Sequence, residues 1–184
     1  MRTQAGYSHT AADRRVIIAA MIRIADAAEG LTTAVRTDNR DESVIRSRLA
    51  GNALRDALSI LPSGGALYGN AGTDAVSAMR ENLDGSMHDL TAAKSLADYP
   101  DGYRTAALAA SNIAEAVDIV CTAVCDRFPD GSPDDELAES VGRAFSAMDG
   151  LGMALDAATT RARKARRMAY VPSDGTATDR QPGE

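Results

Sequence analysis

Apolar positions recur three and four residues apart in five stretches of the chain, the spacing of one face of an α-helix. The most apolar stretch is 101–128, where Ala106, Ala110, Ile113, Val117, Val120, Val124 and Phe128 form a stripe. Ala109, Ala116 and Ala123 shoulder it on one side; Ala114, Cys121 and Cys125 do so on the other. Leu108 and Ile119 appear even on the far side, among Asn112, Glu115 and Asp126. A helix apolar on nearly every side is normally buried among others. The pattern therefore predicts an all-α, antiparallel helical bundle with this segment at its centre.

The other stretches supply its neighbours. Thr10 is placed to cap a first helix bearing Ile17, Ala20, Met21, Ile24, Ala27 and Leu31, with Gly30 as its expected end. A polar connection is expected over 32–41. A second helix over 42–61 carries Ile45, Leu49, Leu54, Leu58 and Leu61 as its predicted core stripe, interrupted by Gly51 and Asn52. Pro62, Ser63, Gly64 and Gly65 end it, and 66–72 reads as a loop. Thr73 or Asp74 can cap a third helix with Val76, Met79, Leu83, Met87 and Leu90. Gly85 inside it suggests that a neighbouring helix passes close by.

Tyr99, Pro100, Asp101 and Gly102 form a turn signal ahead of the central helix. Pro129 and Gly131 break the chain after it. Ser132 and Pro133, followed by Asp134, Asp135 and Glu136, start a long last helix over 133–168. Its seam is Leu137, Val141, Ala144, Met148, Leu151, Leu155, Ala158 and Ala162. At about 1.5 Å per residue it reaches about 54 Å, against about 30 Å for the first helix. It must overhang the bundle or bend, and Gly150 and Gly152 mark where a bend would fall. Residues 1–9 read as a flexible N-terminus, 10–170 as one domain, and 171–184 as a disordered tail too polar to bury anything.

Composition sharpens the class. Of 184 residues, 45% are hydrophobic but only 4% aromatic, with no Trp, so Ala and aliphatic residues must form the core. Alanine favours helix and lets helix axes approach closely. No apolar run approaches the roughly 20 residues that a membrane span needs. Arg2 is followed by no apolar leader, so a signal peptide is not expected. Two cysteines one helical turn apart make no disulfide framework and read as reduced, buried thiols, which fits a cytoplasmic protein.

The formal net charge is −6, which argues against a surface that grips nucleic acid all over. The charge is uneven. Arg161, Arg163, Lys164, Arg166 and Arg167 place five positive charges in seven residues, leaving −11 on the remainder. These five are the candidate contacts to nucleic acid or to an acidic protein face. In the same positions they also favour a helix C-terminus and its solubility. On a helix their directions spread widely, with Arg166 falling on the core stripe, so the last helix is expected to leave the bundle near Ala162.

Recognisable catalytic constellations do not emerge. Asp118, Cys121, Cys125 and His88 are a conceivable zinc set, but zinc thiolates normally come as two close pairs and this chain has one. Packing is the better reading of both cysteines. Di-iron chemistry needs two Glu-x-x-His motifs, and neither His9 nor His88 follows a glutamate by three. Arg80 and His88, with seven intervening residues, miss the Arg–His spacing of HEPN-class nucleases. Gly64, Gly65, Gly69 and Gly72 lack the Lys-Ser/Thr of a phosphate loop. No catalytic residue, metal or cofactor is assigned. The reading that remains is a non-enzymatic interaction or assembly subunit acting through helix faces, with a protein partner or itself as a homo-oligomer. The alternative is a nucleic-acid-associated subunit using 161–167.

Overall fold

The computed structural model describes residues 11–61, 69–92, 95–98, 100–125 and 135–169. The described residues form five helices: α1 (Ala11–Arg36), α2 (Arg40–Ile60), α3 (Gly69–Ala92), α4 (Asp101–Cys125) and α5 (Asp135–Ala169). No strand occurs among the described residues. The segments expected to be flexible, 1–9 and 171–184, lie outside the described residues, as do the breaks at 62–65 and 128–133.

Consecutive helices α1 to α4 run antiparallel. Ser43 near the start of α2 bonds Ala34 near the end of α1, while Gly30 lies against Ala50. Ser47 reaches Leu90, and Arg80 reaches Leu58 and Leu61, which reverses α3 against α2. Asn112 of α4 donates to the Ser86 hydroxyl of α3 across 3.1 Å. The packed pairs follow the order α5–α1–α2–α3–α4, and α4 closes back on α5 while also touching α1.

The hub is thus α1 and not α4. From α1, Met21, Ile24, Ala25, Ala27, Ala28, Leu31 and Ala34 are fully buried or nearly so. Each large aliphatic side chain removed from water in this way contributes about 1.5–3 kcal/mol. By contrast the described side chains of α4, 101–118, are buried on one half only. Ala106, Ala109, Ile113, Ala116 and Val117 face inward. Leu108 is 54% exposed, and Ala114, Glu115 and Asp118 face water. An almost wholly apolar composition does not enclose a helix: α3, α5 and, more lightly, α1 flank α4 and leave this side of it open.

Helix ends also depart from expectation, for steric reasons. Gly30 does not end α1, which continues to Arg36. Instead it sits where α2 crosses, with Ala50 Cβ 3.4 Å from where its own Cβ would stand. Gly51 serves the next crossing, where a Cβ would meet the Thr91 methyl at 2.8 Å and the Met87 carbonyl at 3.3 Å. The inward face of α2 is consequently built from the small residues Ser43, Ser47, Ala50, Gly51 and Ala57, with Leu54 as its one large side chain. Of the stripe read from spacing, Leu54 and Leu61 are buried and Leu58 is half-buried, but Ile45 and Leu49 turn away from this face, 58% and 52% exposed. Gly85 is the opposite case, exposed with nothing near it. α3 starts at Gly69, so residues 69–72 are helical and not loop.

Side-chain caps secure both ends of α2. The Asn39 side chain accepts from the Asp41 and Glu42 N–H groups at 3.0 and 3.2 Å, and Asp41 and Glu42 favour the N-terminal dipole of α2. At the other end of α2, Arg80 donates to the Leu58 and Leu61 carbonyls at 2.9 and 2.7 Å. A cation at a helix C-terminus satisfies carbonyls that have no partner within the helix.

Candidate functional site

The five cations singled out from sequence all sit on the last three turns of α5. Ala158 is the last fully buried residue of that helix. Thr159 and Ala162 are half-buried, and every residue from Arg163 to Met168 is exposed. The overhang expected near Ala162 is therefore present. Helix α5 runs unbroken for 35 residues, about 52 Å at about 1.5 Å per residue. At about 100° per residue, Arg163, Lys164, Arg166 and Arg167 fall within an arc of about 160° centred opposite the buried seam. Arg161 lies about 60° beyond Lys164. Arg166 is thus at the edge of the seam and not on it.

A second feature was not anticipated. Arg143 of α5 bridges two carboxylates of α1, at 2.8 Å from Asp26 Oδ1 and 3.2 Å from Glu29 Oε1. Partial desolvation opposes its charge, but the hydrogen bonds and attraction of Glu29 and Asp26 outweigh that and raise its pKa. A raised arginine pKa adds stability below the unfolded value that is lost only at extreme alkaline pH, so this guanidinium brings no pH dependence near neutrality. Two open grooves flank the same ridge of α1. One of about 380 Å³ is lined by Thr32, Thr33, Arg143, Ser146 and Gly150. The other, of about 320 Å³, is lined by the apolar Gly30, Leu49, Ala50 and Ala53 and the charged Asp26, Glu29 and Arg46. No sequence signal could pair Arg143 with residues 114 and 117 positions away.

Because the Arg143 side chain remains 43% exposed, solvent screens most of this attraction. Arg143→Gln is expected to cost under about 1 kcal/mol, measured by urea denaturation. A larger loss would mean that these charges clamp α5 onto the bundle.

The remaining candidates are not assembled into a site. Arg80 is committed to the C-terminus of α2, and His88 is exposed on α3, so the two do not cooperate. The Ser86–Asn112 bond puts His88 level with about residue 110 of α4. Asp118 is eight residues further, about 12 Å along the axis. The structure therefore separates His88 from Asp118. The side chains of Cys121 and Cys125 lie outside the described residues. Among the described residues, no three His, Cys, Asp or Glu side chains cluster as metal ligands. No helix is long and apolar enough to cross a membrane among them. Comparison with protein-family models, curated proteins and solved structures finds no match.

Proposed function

We propose that the protein is a non-enzymatic assembly subunit that pairs with a second copy of itself through helix faces. The reading rests on Ile45 and Leu49, one turn apart on α2 and both more than half exposed, with Leu49 lining a groove together with Ala50 and Ala53. Phe145 and Met153 on α5 and Leu108 on α4 add further apolar surface, at 41%, 64% and 54% exposure. Side chains of this size left uncovered by their own chain favour association, and self-association usually closes as a symmetric pair. The charged rim of Asp26, Glu29 and Arg46 suits such an interface, since both signs are present to meet their symmetry mates.

Native mass measurement at micromolar concentration should give a dimer. Leu49→Asp should convert it to monomer while leaving the thermal midpoint of the monomeric fold within a few degrees, because Leu49 contributes little to the core. A wild-type monomer would remove the proposal.

A second reading, a nucleic-acid-associated subunit, is favoured by one observation. All five cations of 161–167 are exposed on the last turns of α5.

A further inference from the structure

We propose that two copies of the chain pair through antiparallel α2 helices, with the two-fold axis level with Gly51, so that Leu49 of each copy seats against Ala53 of the other. This rests on the self-pairing read above and fixes its face and its register.

The α2 surface carries both a knob and a hollow. At about 100° per residue, Ile45, Arg46, Leu49, Ala53, Asp56 and Ile60 fall within an arc of about 100°. Leu49 is more than half exposed. It stands at a groove of about 320 Å³ that is also lined by Gly30, Ala50 and Ala53, none of which has an atom beyond Cβ. A symmetric interface sets one patch against itself, so the patch must hold both the protruding group and the space that receives it. Leu49 and Ala53 are one turn apart and equidistant from Gly51. An axis at that level brings each Leu49 to the Ala53 end of the other copy's groove. Ile45 and the half-buried Ile60 then meet between copies about 4.5 Å apart along the helices.

Charge selects the same register. Arg46 and Asp56 are also equidistant from Gly51, so Arg46 of each copy comes level with Asp56 of the other, twice over. Within its own chain Arg46 lies 3.7 Å from Glu42 with both side chains more than 40% exposed. Other arrangements juxtapose like charges, which disfavours them. Parallel α2 helices would set Arg46 on Arg46 and Asp56 on Asp56. An antiparallel pair centred on Leu49 would set Glu42 against Asp56, and one centred midway between Ile45 and Leu49 would bring Arg46 level with Arg48. On α5, matching Phe145 with Met153 would place Asp149 on Asp149.

The test is charge exchange in the full chain, followed by sedimentation equilibrium. Arg46→Asp alone and Asp56→Arg alone should each weaken the dimer at least about tenfold, because each replaces two attractions by two repulsions. An equimolar mixture of the two variants should pair as heterodimers, and the double variant Arg46→Asp/Asp56→Arg should recover the wild-type dissociation constant. All the variants should melt within a few degrees of the wild type, since both positions are exposed. Phe145→Asp should leave the dimer intact. A wild-type dimer that the single exchanges do not weaken, or that neither the mixture nor the double variant restores, would overturn the register while leaving self-pairing standing. Loss of the dimer in Phe145→Asp would do the same, by placing the contact on α5. A wild-type monomer would remove both.

Discussion

Replacing Gly102 by alanine should lower stability by about 3 kcal/mol, near the upper end of overpacking costs, and the thermal midpoint by roughly 10 °C. Gly102 is buried at the first turn of α4, under the turn that leaves α3. A Cβ there would collide with the Ser95 carbonyl oxygen and stand 2.8 and 2.9 Å from the carbonyl carbon and Cα of Leu96. All three are backbone atoms, so no rotamer change relieves the contact. The turn would have to move, although it is tied down by the Gly102 N–H bond to the Asp98 carbonyl at 2.7 Å. It is also tied by the Arg40–Asp98 ion pair at 2.6 Å, whose hydrogen bond and attraction raise the arginine pKa. Gly85→Ala is the control. Gly85 is helical with open space around it, so alanine should stabilise the protein by up to about 1 kcal/mol. Thermal melting of the two variants should shift in opposite directions. A common direction would mean that the turn is more yielding than its geometry implies.

Ser43→Ala should cost a similar amount, about 3 kcal/mol, for a different reason. The Ser43 hydroxyl is wholly buried and serves three segments at once. It donates to the Ala34 carbonyl at the end of α1, at 2.9 Å. It accepts from the N–H groups of Leu96 and Ala97 in the α3–α4 turn, at 3.1 and 3.2 Å. Ala97 also bonds the Ser95 hydroxyl, but Leu96 is buried and would lose its acceptor. An orphaned buried donor or acceptor costs about 1–3 kcal/mol, and alanine would orphan Leu96 N–H and Ala34 C=O together. Ser47 makes a single bond, to the Leu90 carbonyl at 2.8 Å. Ser47→Ala should therefore cost only about 1 kcal/mol. Urea denaturation of both variants checks the ratio, and equal losses would show that the three-way bridge contributes no more than one bond.

Both effects arise at a junction that residue spacing could not reveal. The apolar periods located all five helices, and the Pro100–Gly102 signal located the turn before α4, whereas Gly30 fell inside α1. The overhang of α5 was also legible, because a seam of about four heptads is longer than its neighbours and ends in five charges. Those charges remained the clearest candidate contacts once the fold was known. The ridge of Asp26, Glu29 and Arg143, with its grooves, was not legible at all.

What the chain alone determined is what depends on neighbours in sequence: helical periodicity, the polar breaks, the length of α5 and its cationic tip. These follow from backbone geometry and local propensity, which act within a few residues. Spacing marked the buried side of α1, α3, α4 and α5, but only the tertiary structure decided which side of the first half of α2 is inside. Ile45 and Leu49 are the strongest apolar residues in the first half of α2, yet they face water while Ser43, Ser47 and Gly51 face the core. Closely crossing helices admit only small side chains at the contact, and buried hydroxyls are welcome where they satisfy helix ends. The choice between Gly51, which a crossing requires, and Gly85, which nothing touches, was likewise made by the partner helix and not by the residue.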